Sequence, residues 1–144
     1  DKSGDYSILH HAFVCGPGRT TPIGTFRTPF KAAWHPLQGC WGQYCTQITG
    51  NYLFHSSPYN SPNKNDLSYR LYNQLGTVCS HGCVRLTVAD AKWIYDNCPL
   101  GTTVSIYNAS SLPVPKPSAP WLDISSPNRG WDPTDPDPAN PWNK

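Results

Sequence analysis

Short apolar and β-branched runs, separated by polar, Gly- and Pro-bearing breaks, occupy the first 110 residues and predict a mostly β chain. Tyr6–Val14 reads as a strand that ends at the turn Gly16-Pro17-Gly18. Thr25–Trp34 is a second, broken at Pro29, which has no N–H to give a ladder. Gln43–Ile48 and Tyr52–His55 flank Gly50-Asn51, a hairpin signal, and Thr102–Tyr107 is the last strand. Between them the period changes. Val88, Ala91, Tyr95 and Cys98 fall on one helical face, Thr87-Val88-Ala89-Asp90 has capping-box spacing with Asp as its acid, and Pro99 and Gly101 end the helix. Ser56 to Cys79 is a polar stretch rich in Asn, Ser and Tyr, and a connection this long in a compact domain is usually functional or partly structured.

The pattern stops near residue 112. Pro113 to Lys144 holds nine of the 16 Pro, three of the six Trp and no Cys or His. Gly130 to Pro138 has too many prolines for a helix or a central strand. Low-complexity disorder is one reading of this tail; the favoured one is an extended strap with Trp121, Trp131 and Trp142 docked in surface grooves, because true disorder is poor in aromatics. The expected division is a domain over residues 1–110 and a Pro/Trp-rich extension over 111–144.

A chain of 144 residues fits one such domain and can fold as a monomer. It contains no Glu, so nine Asp are its only side-chain carboxylates. A formal charge of +2 with no Lys/Arg block argues against a nucleic-acid partner, and no apolar run approaches the ~18 residues of a membrane span. Six Cys in a domain of this size suggest an exported protein with one or two disulfides. Asp1-Lys2-Ser3-Gly4-Asp5 is no signal peptide, so the expectation is a mature or trimmed form.

The densest chemistry is Cys79-Ser80-His81-Gly82-Cys83-Val84-Arg85, just before the capped helix. Cys83 is the candidate nucleophile: a nearby helix N-terminus, Arg85 and histidines would favour its thiolate, and Gly82 would let consecutive N–H groups converge on an oxyanion. The competing reading pairs Cys83 in a disulfide, since six Cys can pair completely. Zinc on Cys79, His81 and Cys83 is disfavoured by the one-residue spacing and the lack of a second ligand pair. His10 and His11, adjacent in a strand, face opposite ways and receive no function; Asp66 reads as solvated surface.

These residues resemble the signature of the L,D-transpeptidases, the YkuD-type cysteine enzymes of bacterial cell walls. Ser80-His81-Gly82-Cys83-Val84-Arg85 matches the core motif, Phe54-His55-Ser56-Ser57-Pro58 a strand-end His element, and Thr21-Pro22-Ile23-Gly24-Thr25-Phe26 a Thr-Pro-x-Gly-x-Phe turn. The helix from Asp90 and the strand to Val104 complete four elements in the family's order. The chain departs from the family in three places. One more strand precedes the Tyr6–Val14 segment in the family, and this chain begins too late to show it. The gap from His55 to Ser80 is long, suggesting an enlarged loop over the site. Arg85 stands where many members have Asn.

The resemblance implies a YkuD-like β-sandwich with short helices, needing no cofactor or metal, and a secreted protein of the extracellular wall or periplasm. It implies that Cys83 attacks a peptidoglycan stem peptide, releases D-Ala and passes the acyl group to the amine of a second stem, forming a 3-3 cross-link. His55 matches the base and Ser56 the carbonyl that orients it. His81 would shape the pocket or assist the oxyanion, the Gly82 and Cys83 N–H groups would bind it, Ser80 belongs to the same turn, and Arg85 would hold a substrate carboxylate. Acylation of Cys83 by carbapenems follows. If Cys83 stays free, at most two disulfides form, guessed as Cys40–Cys45 and Cys79–Cys98 with Cys15 left over. Tyr44, Tyr59, Tyr69 and the Trp34–Trp41 region are candidates for a lid or groove wall, though core packing suits each better. The alternatives are an L,D-carboxypeptidase, with water as acceptor, and a non-catalytic wall-binding module.

Overall fold

Pro29 divides the second predicted strand in two: β1 (Gly24–Arg27) and β2 (Lys31–Leu37). The computed structural model, which describes residues 7–144, continues with β3 (Cys40–Thr49), β4 (Tyr52–Ser56), α1 (Tyr69–Tyr72), β5 (Val84–Leu86), α2 (Val88–Asn97) and β6 (Thr103–Ile106), and ends on a single 3-10 turn at Pro141–Asn143. β1 pairs antiparallel with β6, and the other four strands form a sheet in the order β2-β3-β4-β5. The Gly50-Asn51 turn closes the β3–β4 hairpin, while β4 and β5 run parallel, with His55 opposite Arg85. The fold is mostly β, with two sheets in a sandwich-like arrangement and two short helices, as expected.

Helix α2 starts where the sequence places it. Thr87 is the N-cap, its side chain accepting from Asp90 N–H, and Val88 and Ala91 are buried. Its N-terminus has a second set of acceptors that sequence spacing does not reveal. Val88 N–H donates to Asp132 Oδ2 at 2.9 Å and Ala89 N–H to Thr134 Oγ1 at 3.1 Å, both from the Pro-rich extension. Asp132, Asp135 and Asn140 are fully buried there, and the Asn140 amide donates to the Asp132 and Asp135 carbonyls. Leu122, from the same segment, completes a core cluster with Tyr59, Leu67, Tyr72 and Val88, and Trp142 packs against it. Trp121 does not dock: 78% of it is exposed.

Two further expectations fail. Within the proposed Tyr6–Val14 strand, Tyr6 lies outside the described residues and residues 7–14 form no ladder. His11 and Phe13 instead lie against Trp93 of α2, with ring centroids 4.3 and 5.6 Å away, so this stretch is held by side chains. Cys15 O accepts from Gly76 N–H, and Gly16 N–H and C=O both bond Arg85 on the outer edge of β5. The guessed disulfides also fail, for all six cysteines are free thiols. Cys40 and Cys45 lie on one strand, where five residues at about 3.3 Å each hold them too far apart to bridge. Cys98 caps the far end of α2, whose ten residues span about 15 Å, while Cys79 Sγ sits over Gly16.

Candidate active site

The parallel register of β4 and β5 sets the site. Val84 and Leu86 are buried on one face of β5, so Arg85, and Cys83 just before the strand, turn to the other. His55 is Arg85's register partner and shares that face, two residues along from the position beside Cys83. Strand spacing puts the Cα atoms of His55 and Cys83 about 8 Å apart, within reach of an imidazole and a thiol. Both line a cavity of about 610 Å³ with His35, Tyr52, His81 and Arg85. Among the described residues no carboxylate lines it, so the described walls suit a negatively charged ligand.

His55 is buried and locked. Its Nδ1 is 2.5 Å from the Ser56 carbonyl and donates to it, which leaves Nε2 as the basic atom. Burial, the largest influence, drives its pKa down to about 4 despite that bond. The ring fits because its neighbour on β3 is Gly42, where a Cβ would lie 2.9 Å from both His55 Cβ and Cys45 Sγ. The Ser56 hydroxyl serves the backbone, accepting from Gln43 N–H and donating to the Ser57 carbonyl.

Cys83 is a neutral thiol, contrary to the expected thiolate. Burial raises its pKa above the ordinary value and outweighs the lowering by a hydrogen bond from Leu53 N–H and by the charge of Arg85. The thiol donates to Asn51 O at 3.4 Å. Helix α2 gives no help, because β5 intervenes and the helix N-terminus is capped by Thr87, Asp132 and Thr134. Thiol and imidazole are therefore both uncharged at neutral pH. Such a pair works by transfer of the thiol proton to Nε2 during attack.

Of the other expected site residues, His81 is exposed on the cavity wall. Ser80 Oγ donates to the Cys83 carbonyl at 2.5 Å. Arg85 Nη1 donates to the Cys79 carbonyl at 2.6 Å, and its buried Nε has no partner among the described residues. Gly82 has no left-handed φ; close approach demands it, since a Cβ there would lie 2.4 Å from Tyr52 Cε1. Trp34, Trp41, Tyr44 and Tyr69 pack on the core and Tyr59 is fully buried in it, so none of these lines the cavity. The Trp34–Trp41 region nevertheless reaches the wall through His35 and Cys40, in keeping with its candidacy as a groove wall, whereas sequence reasoning missed Tyr52. Tyr52 was signalled by its place beside the Gly50-Asn51 turn.

The family model of the YkuD L,D-transpeptidase catalytic domain matches residues 4–106. YciB of Bacillus subtilis (strain 168), a protein named as an L,D-transpeptidase, is 39% identical over 116 residues, which is 73% of this chain and 58% of that protein. The chain thus spans less than two thirds of this relative. Its fold is similar to that of an L,D-transpeptidase from Mycobacterium smegmatis (TM-score 0.54, 21% identity, 72% of this chain and 51% of that one). It is also similar to LdtMt1 solved in complex with imipenem (TM-score 0.52, 21% identity, 68% and 49%).

Proposed function

The chain belongs to the YkuD family of L,D-transpeptidase catalytic domains, and from that premise we propose that it is a cysteine acyltransferase acting on peptidoglycan stem peptides. The observation that carries the reading is a free Cys83 thiol sharing one cavity with a buried imidazole whose Nδ1 is committed to a carbonyl. In the acylation step Cys83 Sγ attacks the carbonyl that joins the third residue of a stem to D-Ala, and Nε2 of His55 takes the thiol proton. As the C–N bond breaks, that proton passes to the departing amine of D-Ala, leaving a thioester on Cys83. The side-chain amine of a second stem then attacks the thioester and gives a proton to Nε2; the C–S bond breaks, the 3-3 amide forms and that proton passes to sulfur. Arg85, the one Lys or Arg among the described residues of the wall, would hold a stem carboxylate. Such chemistry takes place outside the membrane, and no described helix is long and apolar enough to cross one. The residues proposed to act all fall within 1–110, the stretch we assign as the catalytic domain, with 111–144 as its strap.

Because LdtMt1 was solved with imipenem, a carbapenem is the probe of choice. Intact mass after incubation with imipenem is expected to show one adduct on the native chain and none on Cys83→Ala, with thiols counted in parallel. No adduct on folded protein whose Cys83 is free would refute acyl transfer at this thiol. With a stem-peptide donor, amine-dependent product marks transfer; free acid alone marks a carboxypeptidase.

A further inference from the structure

Three consecutive carbonyls of the nucleophile turn accept hydrogen bonds from hydroxyls. Thr20 Oγ1 donates to His81 O at 2.5 Å, Thr21 Oγ1 to Gly82 O at 2.7 Å, and Ser80 Oγ to Cys83 O at 2.5 Å. Thr21 Oγ1 is held from both sides, since it also accepts from Gly18 N–H at 2.8 Å. The hydroxyl's single proton is therefore committed to Gly82. Two faces of the turn are gripped as well. A Cβ at Gly18 would lie 2.2 Å from Gly82 N and 2.4 Å from His81 C, so bare Gly18 stacks directly on that peptide plane, with Tyr52 against the Gly82 Cα.

These anchors have a consequence for the opposite edge of each peptide. No cis peptide occurs among the described residues, so every carbonyl points opposite to the N–H that follows it in the same plane. Holding His81 O and Gly82 O thus directs the N–H groups of Gly82 and Cys83 away from the two threonines. Neither N–H has an acceptor among the described residues; pairing with β4 starts only at Val84. Gly82 and Cys83 line the cavity and Thr21 does not. Two unpaired, fixed donors beside a nucleophile are what a developing oxyanion requires.

We propose that Thr21, seconded by Thr20, is a positioning residue of the oxyanion site: it touches no reacting atom and acts by aiming the Gly82 and Cys83 N–H groups. The proposal rests on the acyl-transfer reading above. It gives the Thr-Pro turn, which supplies no acid, base or nucleophile, a task in the reaction.

The test compares two electrophiles on the folded chain. Imipenem passes through a tetrahedral oxyanion at its lactam carbonyl; iodoacetamide alkylates sulfur by displacing iodide and forms none. Second-order rate constants for both are read by intact mass for the wild type, Thr21→Val and Thr21→Ser. Losing one oxyanion donor outright costs about 10²–10³-fold, so loosening two is expected to slow imipenem by about 10–100-fold in Thr21→Val. Alkylation should stay within about twofold, and Thr21→Ser should recover acylation. Thr20→Val is expected to show the same selective loss and serves if Thr21→Val does not fold. Parallel loss of both rates, or loss of neither, overturns the proposal while wild-type acylation stands. A wild type that is alkylated at Cys83 but never acylated overturns the acyl-transfer reading and this proposal with it.

Discussion

Asp132 is the sharpest place to test the electrostatics of this fold. Its carboxylate is fully buried, accepts from Val88 N–H at the start of α2, and accepts twice more from Thr134 N–H and Oγ1. Two influences compete. A helix N-terminus and three hydrogen bonds favour the anion, the former by about 0.3–2 kcal/mol, while removing a carboxylate from water costs several kcal/mol. Burial wins, and the pKa is pushed up from 3.8 to about 6. The folded chain therefore binds this proton more tightly than the unfolded one. The stability it confers is full below pH 3.8 and is lost as pH rises through about 6. A shift of about two units corresponds to about 3 kcal/mol at 1.36 kcal/mol per unit, some 2.5 kcal/mol of it between pH 4 and 7. Asp132→Asn has no proton to lose, so subtracting its unfolding curve from that of the wild type cancels the other titrating groups. The variant should gain on the wild type by about 5–10 °C in Tm between pH 4 and pH 7, at about 2–4 °C per kcal/mol, followed by circular dichroism. A Tm difference that does not change with pH, or one that moves the other way, would mean that the helix terminus and hydrogen bonds outweigh burial, and the reasoning would fail.

Two further outcomes follow from the same kind of argument. With His55 depressed to about 4 and the Cys83 thiol raised above its ordinary value, the uncharged pair that hands its proton to Nε2 is the resting form throughout neutral pH, so the rate of imipenem acylation should stay level from about pH 5 to 8 with no inflection near 6.5; a rate that falls as pH drops through 6.5 would show that the base titrates as an ordinary imidazole and refute the depressed His55. Adjacent residues of the extension should behave oppositely: Leu122→Ala, fully buried in the core cluster, should cost about 3 kcal/mol and 6–12 °C in Tm, while Trp121→Ala should leave thermal unfolding unchanged. Equal effects at the two positions would remove the extension from the core.

Local signals were enough for elements that close on themselves. The β3–β4 hairpin is written in Gly50-Asn51, and α2 in Thr87, Asp90 and Pro99, because turn and cap chemistry act over three or four residues. β5 has three residues and its partner in the sheet lies thirty residues upstream, so no local pattern announces it. The same holds for the extension. Of the tryptophans whose size drew the sequence reading, Trp142 packs against the core and Trp121 stays exposed; the fully buried anchors are Leu122 and the polar Asp132, Asp135 and Asn140. Burying such polar groups is tolerable because each meets a backbone donor or acceptor: Asp135 and Asn140 find theirs within the extension, while Asp132 also needs Val88 N–H, which it meets only once the chain has folded back onto α2.

The site divides along the same line. Cys83 and His55 stand in recognisable motifs, yet their charge states could not be read there, for desolvation belongs to the packed cavity and not to neighbours in sequence. Arg85 beside the thiol, and a helix a few residues on, looked sufficient for a thiolate. The fold spends the helix terminus on Thr87, Asp132 and Thr134 and turns one guanidinium nitrogen to the Cys79 carbonyl. What replaces them is geometry. Gly16, Gly18, Gly42 and Gly82 each lie where a Cβ would come within 3 Å of a neighbouring atom, and together they bring β3, β4 and the two turns close enough to touch. In the reading proposed above, a neutral thiol and a neutral imidazole would gain reactivity only when a substrate carbonyl is pressed between sulfur and the two anchored amides. On the proposed mechanism, then, the threonine hydroxyls and the bare glycines would decide how well Cys83 works as much as its own ionisation does.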